Sequence, residues 1–183
     1  MSKKIGILVG SLREGSYNRI VANKFVELLP EGYEAKFIEF GDVEYFNEDI
    51  DTPEKTPASW TRLREEIQSV DGVFFFTPEY NRSVPAALKN ALDVGSRPYG
   101  QNSWAKKPAL VVSVSMGAIA GFGANHHLRQ TLAFLDMPTL QQPEAYIGSV
   151  HELIDENGEF NEGTTGFFQT IIDSYLDFFN KLV

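Results

Sequence analysis

The stretch IGILVGSLREGSYNR, residues 5–19, strings together an apolar run, a Gly-Ser loop and the start of a helical period. A buried strand running into such a loop and then a helix makes an anion site. The loop's backbone N–H groups and the helix's unsatisfied first-turn N–H groups converge where the helix dipole favours negative charge. Ser11, Ser16 and Asn18 add short polar side chains there, and Arg13 or Arg19 can add a fixed positive charge. A phosphate is therefore expected at this loop, against the plainer reading of a glycine turn that is only a turn.

Outward from this stretch, strands and helices alternate. A strand at Lys3–Val9 leads to a helix over about Tyr17–Leu29, with Ile20, Val21, Ala22, Phe25, Leu28 and Leu29 as its apolar stripe. A second strand is expected from Tyr33 to Phe40. Residues 39–55 are acidic and irregular, without the spacing of a calcium loop, and are expected to be a solvated surface loop. Thr56-Pro57 reads as a helix start with proline at the first helical position. Val73–Phe76 is the third strand, followed by a helix from about Pro85. Lys107–Ser115 is the fourth strand, and a helix follows over about Ala124–Asp136. Met137–Leu140, continued by Ala145–Val150, is the expected fifth strand, and a last helix begins near Thr165. This alternation predicts an α/β fold: a five-stranded parallel sheet in the flavodoxin-like order 2-1-3-4-5, with helices on both faces. Gly10–Arg19, Thr77–Asn81 and Ser115–Gly123 follow strands 1, 3 and 4, so all three are expected at one carboxyl edge of the sheet.

The composition narrows the function. At 183 residues, 43% hydrophobic and 22% charged, the chain is expected to be one globular domain spanning 1–183. A net charge of −9 argues against a nucleic-acid partner. Without cysteine there is no disulfide, thiolate metal site or thiol redox chemistry, so any redox function belongs to a bound cofactor. No signal peptide or membrane span is legible, and a cytoplasmic enzyme with no membrane partner is expected. His126-His127 does not read as a metal pair, because adjacent helical side chains diverge by about 100°, and no metal is expected. No G-x-S-x-G elbow supports a hydrolase.

The loop motifs decide among ligands. Gly10 and Gly15 have P-loop spacing, but Ser16 and Tyr17 stand where the lysine and hydroxyl belong, which argues against nucleoside triphosphates. The G-x-G-x-x-G fingerprint also fails, although Glu39 is placed to read a ribose. A monophosphate remains. In Thr77-Pro78-Glu79-Tyr80-Asn81, Pro78 removes a donor and Tyr80 offers a flat wall for a planar heterocycle, while Glu79 is open to an acid-base role. Ser115-Met116-Gly117 can close the other side, with Gly117 letting backbone approach closely.

GSLREGSYNR, TPEYNRSVPAALKNALD and the run from Ser115-Met116-Gly117 to HLRQTLAFLDM resemble the NADPH-dependent FMN reductase family, and within it the bacterial quinone, chromate and azo reductases. The likeness spans about Ile5 to Gly148. It implies noncovalent FMN, with Ser11, Arg13, Ser16, Tyr17 and Asn18 at the phosphate and ribityl end. Pro78, Glu79, Tyr80 and Asn81 would line the ring, and Ser115, Met116 and Gly117 its far side. It further implies NADPH or NADH as co-substrate, a ping-pong sequence, and a quinone, azo compound, chromate or free flavin as small-molecule acceptor, with no indispensable acid-base residue. A homodimer or homotetramer is implied as well, with Pro85–Pro98 and Asn125–Leu135 at the contact. The hydroxyl-rich loop of true flavodoxins is absent, which weighs against the competing reading of an electron carrier. A phosphate-binding module without redox function is the third reading.

Overall fold

The computed structural model describes residues 2–183. Strands β1 (Lys3–Val9), β2 (Tyr33–Phe37), β3 (Gly72–Thr77), β4 (Ala109–Val114) and β5 (Ala145–Ile147) form one sheet in the order β2-β1-β3-β4-β5, every pair parallel. Helices α1 (Tyr17–Glu27) and α5 (Glu162–Phe179) cover one face; α2 (Ala58–Gln68), α3 (Ala86–Gly95) and α4 (Phe122–Phe134) cover the other. This is the expected order, with the switch point between β1 and β3.

The alternation of side chains along β3 separates two cores. Phe74 and Phe76 face Phe25, Phe168 and Tyr175, while Phe75 faces the opposite way, onto Trp104 and Leu88. Both faces of β3 and β4 are buried throughout, which is why these strands read as continuous apolar runs. Phe25 meets Phe76 edge-on at 5.2 Å between ring centroids, and Phe74 meets Tyr175 at 4.7 Å.

Several boundaries differ from expectation. The fifth strand is Ala145–Ile147 alone. Residues 137–140 run beside β4 with a single bridge, Ala109 to Thr139, because Pro138 has no N–H to contribute. The second strand stops at Phe37 rather than Phe40. Pro57 caps α2 instead of occupying its first turn: its ψ of 141° is extended, and its carbonyl accepts from the Trp60 and Thr61 amides. Helices α4 and α5 begin at Phe122 and Glu162, earlier than expected, the latter capped by the Asn161 side chain, which accepts from the Thr164 amide. Nor is the acidic segment wholly solvated. Asp51, with its side chain 6% exposed, receives both terminal nitrogens of Arg64 at 2.8–2.9 Å.

Candidate functional site

At the carboxyl ends of β1, β3 and β4 the chain leaves the sheet in three loops, and their walls enclose a cleft of about 350 Å³. Ser11, Arg13, Ser16, Tyr17 and Asn18 line it from the first loop, Pro78, Glu79 and Tyr80 from the second, Val114, Ser115 and Met116 from the third. The three stretches singled out in the sequence thus come together. Asn81 and Gly117 do not line this cleft. Asn81 turns into an adjoining trough of about 680 Å³ across Tyr80, between α3 and α4. Gly117 is held beside the rim, its amide donating to the Ser115 hydroxyl at 2.8 Å. Val114, the last residue of β4, contributes a wall that the sequence reading left in the strand.

The loop after β1 makes little use of its own polar groups. Gly10 starts it by donating to the Phe76 carbonyl at 2.7 Å, which joins the loop to β3. Gly15 sits at φ +63°, the left-handed turn that brings the chain round into α1. Ser16 occupies the N-cap of α1, yet its side chain makes no capping bond. Its hydroxyl oxygen and the side-chain oxygen of Asn18 are both buried without a partner. An α-helix leaves its first-turn amides unpaired, and a side-chain cap ordinarily answers one of them. Here that answer is missing, and two further polar atoms lie buried beside it.

Of the two candidate cations, only Arg13 lines the cleft, where it donates to the Gly15 carbonyl at 3.1 Å. Arg19 is engaged with the Glu39 carboxylate at 2.7 Å, over the Phe37 ring. The same ion pair takes up Glu39, the residue placed to read a ribose, on the far side of the loop.

The rim is apolar and open. Tyr80 and Met116, lips of the cleft from two different loops, are each about half exposed. The Tyr80 lip is a tight hairpin in which Tyr80 and Ser83 exchange both backbone bonds, with Asn81 and Arg82 at positive φ. Both oxygens of the Glu79 carboxylate, which also lines the cleft, are engaged. One carboxylate oxygen accepts from the Ala124 amide at 3.0 Å, the other from the Arg82 guanidinium at 3.2 Å.

The two adjacent histidines part as helical geometry requires. His127 Nδ1 meets the Ser83 hydroxyl, and His126 Nε2 meets the Tyr146 hydroxyl, each at 3.0 Å. Burial, together with a hydrogen bond to Glu144, pushes the Tyr146 phenol up to about 12. Among the described residues, no three His, Cys, Asp or Glu side chains gather as a metal-binding group, and no helix is long and apolar enough to cross a membrane.

Comparison with known proteins adds to this geometry. The NADPH-dependent FMN reductase family matches residues 3–152. A quinone reductase of Pseudomonas putida is 54% identical over 171 residues, covering 93% of this chain and 91% of that protein. A 2-hydroxy-1,4-benzoquinone reductase of Burkholderia sp. is 40% identical over 178 residues, covering 96% and 95%. Among solved structures, FerB, a flavoenzyme NAD(P)H:(acceptor) oxidoreductase of Paracoccus denitrificans, superposes with a TM-score of 0.91 at 36% identity, covering 98% of each chain. With three loops meeting at the carboxyl edge of a 2-1-3-4-5 sheet and a match that runs through all of them, the chain belongs to the NADPH-dependent FMN reductase family and is an FMN-dependent oxidoreductase driven by NAD(P)H.

Proposed function

We propose that this chain, as one FMN-binding unit over residues 1–183 in the cytoplasm, passes electrons from NAD(P)H to quinones. One observation carries the reading: the unpartnered, buried Ser16 and Asn18 side chains lie in the same cleft as the exposed faces of Tyr80 and Met116. Such a cleft is polar at one end and flat and apolar at the other, which is the polarity of FMN from phosphate to ring. The residues present therefore fit the cofactor.

Ser11, Arg13, Ser16, Tyr17 and Asn18 would hold the phosphate and ribityl end. Pro78, Glu79, Tyr80 and Val114 to Met116 would bound the ring, with Asn81 and Gly117 shaping the lips from behind. Bound FMN supplies the hydride and electron transfer. The chain's own contribution is to position the phosphate and the ring. Arg13 and the first-turn amides of α1 set a positive field around the phosphate. Pro78 leaves an edge of the wall without an N–H. In this reading donor and acceptor use the same open side of the cleft, beside Tyr80 and Met116, and alternate there, which yields ping-pong kinetics. The names of the relatives support a quinone as acceptor; azo compounds, chromate and free flavin are the further acceptors to assay.

The test is the visible spectrum of the protein incubated with FMN, before and after anaerobic NADPH or NADH. Flavin bands that bleach, and return on adding a benzoquinone, are expected. A protein that binds no FMN ends this reading. Bands that bleach with neither nucleotide, together with no steady-state turnover, would make it an electron carrier.

We also propose a homo-oligomer, dimer or tetramer, with Pro85–Pro98 and Asn125–Leu135 at the contact. Phe134, in the second segment, is 90% exposed, beside a groove bounded by Phe46, Arg97 and Leu135. Phe134 thus stands on the segment that the resemblance places at the contact, and aromatic side chains are enriched at such interfaces. Light scattering is expected to give a multiple of the 20.5 kDa chain mass, and Phe134→Glu is expected to shift the protein towards the monomer. A monomeric wild type would refute this contact.

A further inference from the structure

Glu79 lies in the middle of the second loop, yet its side chain, 12% exposed, is turned into the protein. It faces the start of α4. That helix has no side-chain cap of its own, since Gly121 stands at its N-cap, at φ +71°. The Glu79 carboxylate reaches across from β3 and accepts the amide of Ala124, in the helix's first turn. A carboxylate there answers an unpaired amide and the positive end of the helix together.

Two further contacts bind the same pair of elements. Ser83, at the foot of the hairpin, meets His127 one turn further along α4. Gly123 lets the hairpin lie directly on the helix. A Cβ at that position would stand 2.8 Å from the Arg82 carbonyl oxygen and 2.9 Å from a Glu79 carboxylate oxygen, closer than atoms can sit without a shift. The hairpin carries Tyr80, one lip of the cleft. The loop that runs into α4 carries Met116, the other lip. Whatever ties the hairpin to α4 also sets the gap between them.

We propose that Glu79 is a positioning residue: by capping α4 it clamps the Tyr80 hairpin to the loop bearing Met116 and fixes the width of the cleft. Its carboxylate acts on the helix, not on a substrate proton. The flavin readouts of this proposal rest on the functional reading above; its structural readout does not.

The experiment compares Glu79→Ala, Glu79→Gln and Gly123→Ala. In the absence of flavin, amide hydrogen exchange is followed at Ala124 and its neighbours. Glu79→Ala is expected to speed exchange at Ala124 by about tenfold or more, the effect of losing one charge-assisted hydrogen bond. Glu79→Gln, which retains an acceptor oxygen, should recover most of the protection. With FMN added, Glu79→Ala and Gly123→Ala should each weaken binding about tenfold, Glu79→Gln about threefold. The visible circular dichroism of the bound flavin should change in the first two, because the ring's walls have moved.

Unchanged exchange at Ala124 in Glu79→Ala would overturn the clamp. So would a Glu79→Gln protein that binds FMN as the wild type does but loses about 100-fold in kcat at constant KM, since that is the mark of an acid-base group. If Glu79→Ala does not fold, Gly123→Ala presses on the same contact from the helix side and decides by the same readouts. A wild-type protein that takes up no FMN would remove the functional reading, and the exchange comparison alone would then decide the clamp.

Discussion

Gly72→Ala is expected to destabilise the protein by about 3 kcal/mol and to lower Tm by roughly 10 °C. Gly72 opens β3, beside Ile5 of β1, and a Cβ there would stand 2.2 Å from the Tyr175 hydroxyl and 2.9 Å from the Phe179 ring. Tyr175 has nowhere to retreat. It is fully buried, packed edge-on against Phe74 and beside Phe179, and its hydroxyl donates to the Pro108 carbonyl at 2.9 Å. Burial pushes its phenol well above the ordinary range, so the group stays a donor. The added methyl both overpacks the core and breaks that bond.

Two companion variants separate these causes. Tyr175→Phe alone should cost only about 1 kcal/mol, because the Pro108 carbonyl keeps the Val73 amide at 2.9 Å. Combined with Gly72→Ala it should recover part of the loss, since the closest clash is gone, and the double-mutant cycle should show coupling. Gly166→Ala, exposed in the second turn of α5 with nothing within 4 Å of its Cβ, should instead stabilise by about 1 kcal/mol. Chemical denaturation of the four variants and the wild type checks the set. A Gly72→Ala protein as stable as the wild type would show that α5 can move off the sheet.

What could be read from the sequence follows from how local the deciding physics is. β1, β3 and β4 announced themselves because a strand buried on both faces must be apolar at nearly every position, and the loops after them are short enough to be assigned to one edge. Residues 137–140 are equally apolar in part, but what excludes them from a full strand is a missing amide at Pro138, a pairing property that hydropathy does not carry. The same holds within the site. Ser16, Asn18 and Tyr80 were legible as residue types in a suggestive order. That Arg19 would turn to Glu39 rather than to the cleft depends on a pair 20 residues apart. Glu79 is the sharpest case: its partner is a backbone amide 45 residues further along the chain, and no side chain at Ala124 marks it. A signal did exist, in Gly121 and Gly123, since a helix start with no capping side chain implies that something else supplies the acceptor.

Ser16→Ala combined with Asn18→Ala is expected to weaken FMN binding by about 100-fold or more while leaving the flavin-free protein slightly more stable. The two effects have one source. Both side chains hold a buried oxygen with no partner, and each such group carries a desolvation penalty of about 1–3 kcal/mol. Replacing an N-cap serine usually destabilises a helix, but here the Ser16 side chain makes no capping bond to lose. Asn18 lies inside the first turn of α1, where alanine is the better helix former. Without ligand, then, the variant's Tm should rise by a few degrees. With FMN the order should reverse. A ligand stabilises by RT ln(1 + [L]/Kd), so at fixed FMN a 100-fold weaker Kd forfeits roughly 2.7 kcal/mol of that stabilisation. Melting curves of both proteins with and without FMN should therefore cross over. If the variant melts lower than wild type in both conditions, the two residues serve folding and the anion site must be sought elsewhere along the loop. If it melts higher in both, the Ser16 hydroxyl and the Asn18 amide are idle towards FMN, which is then held by Arg13 and the backbone alone.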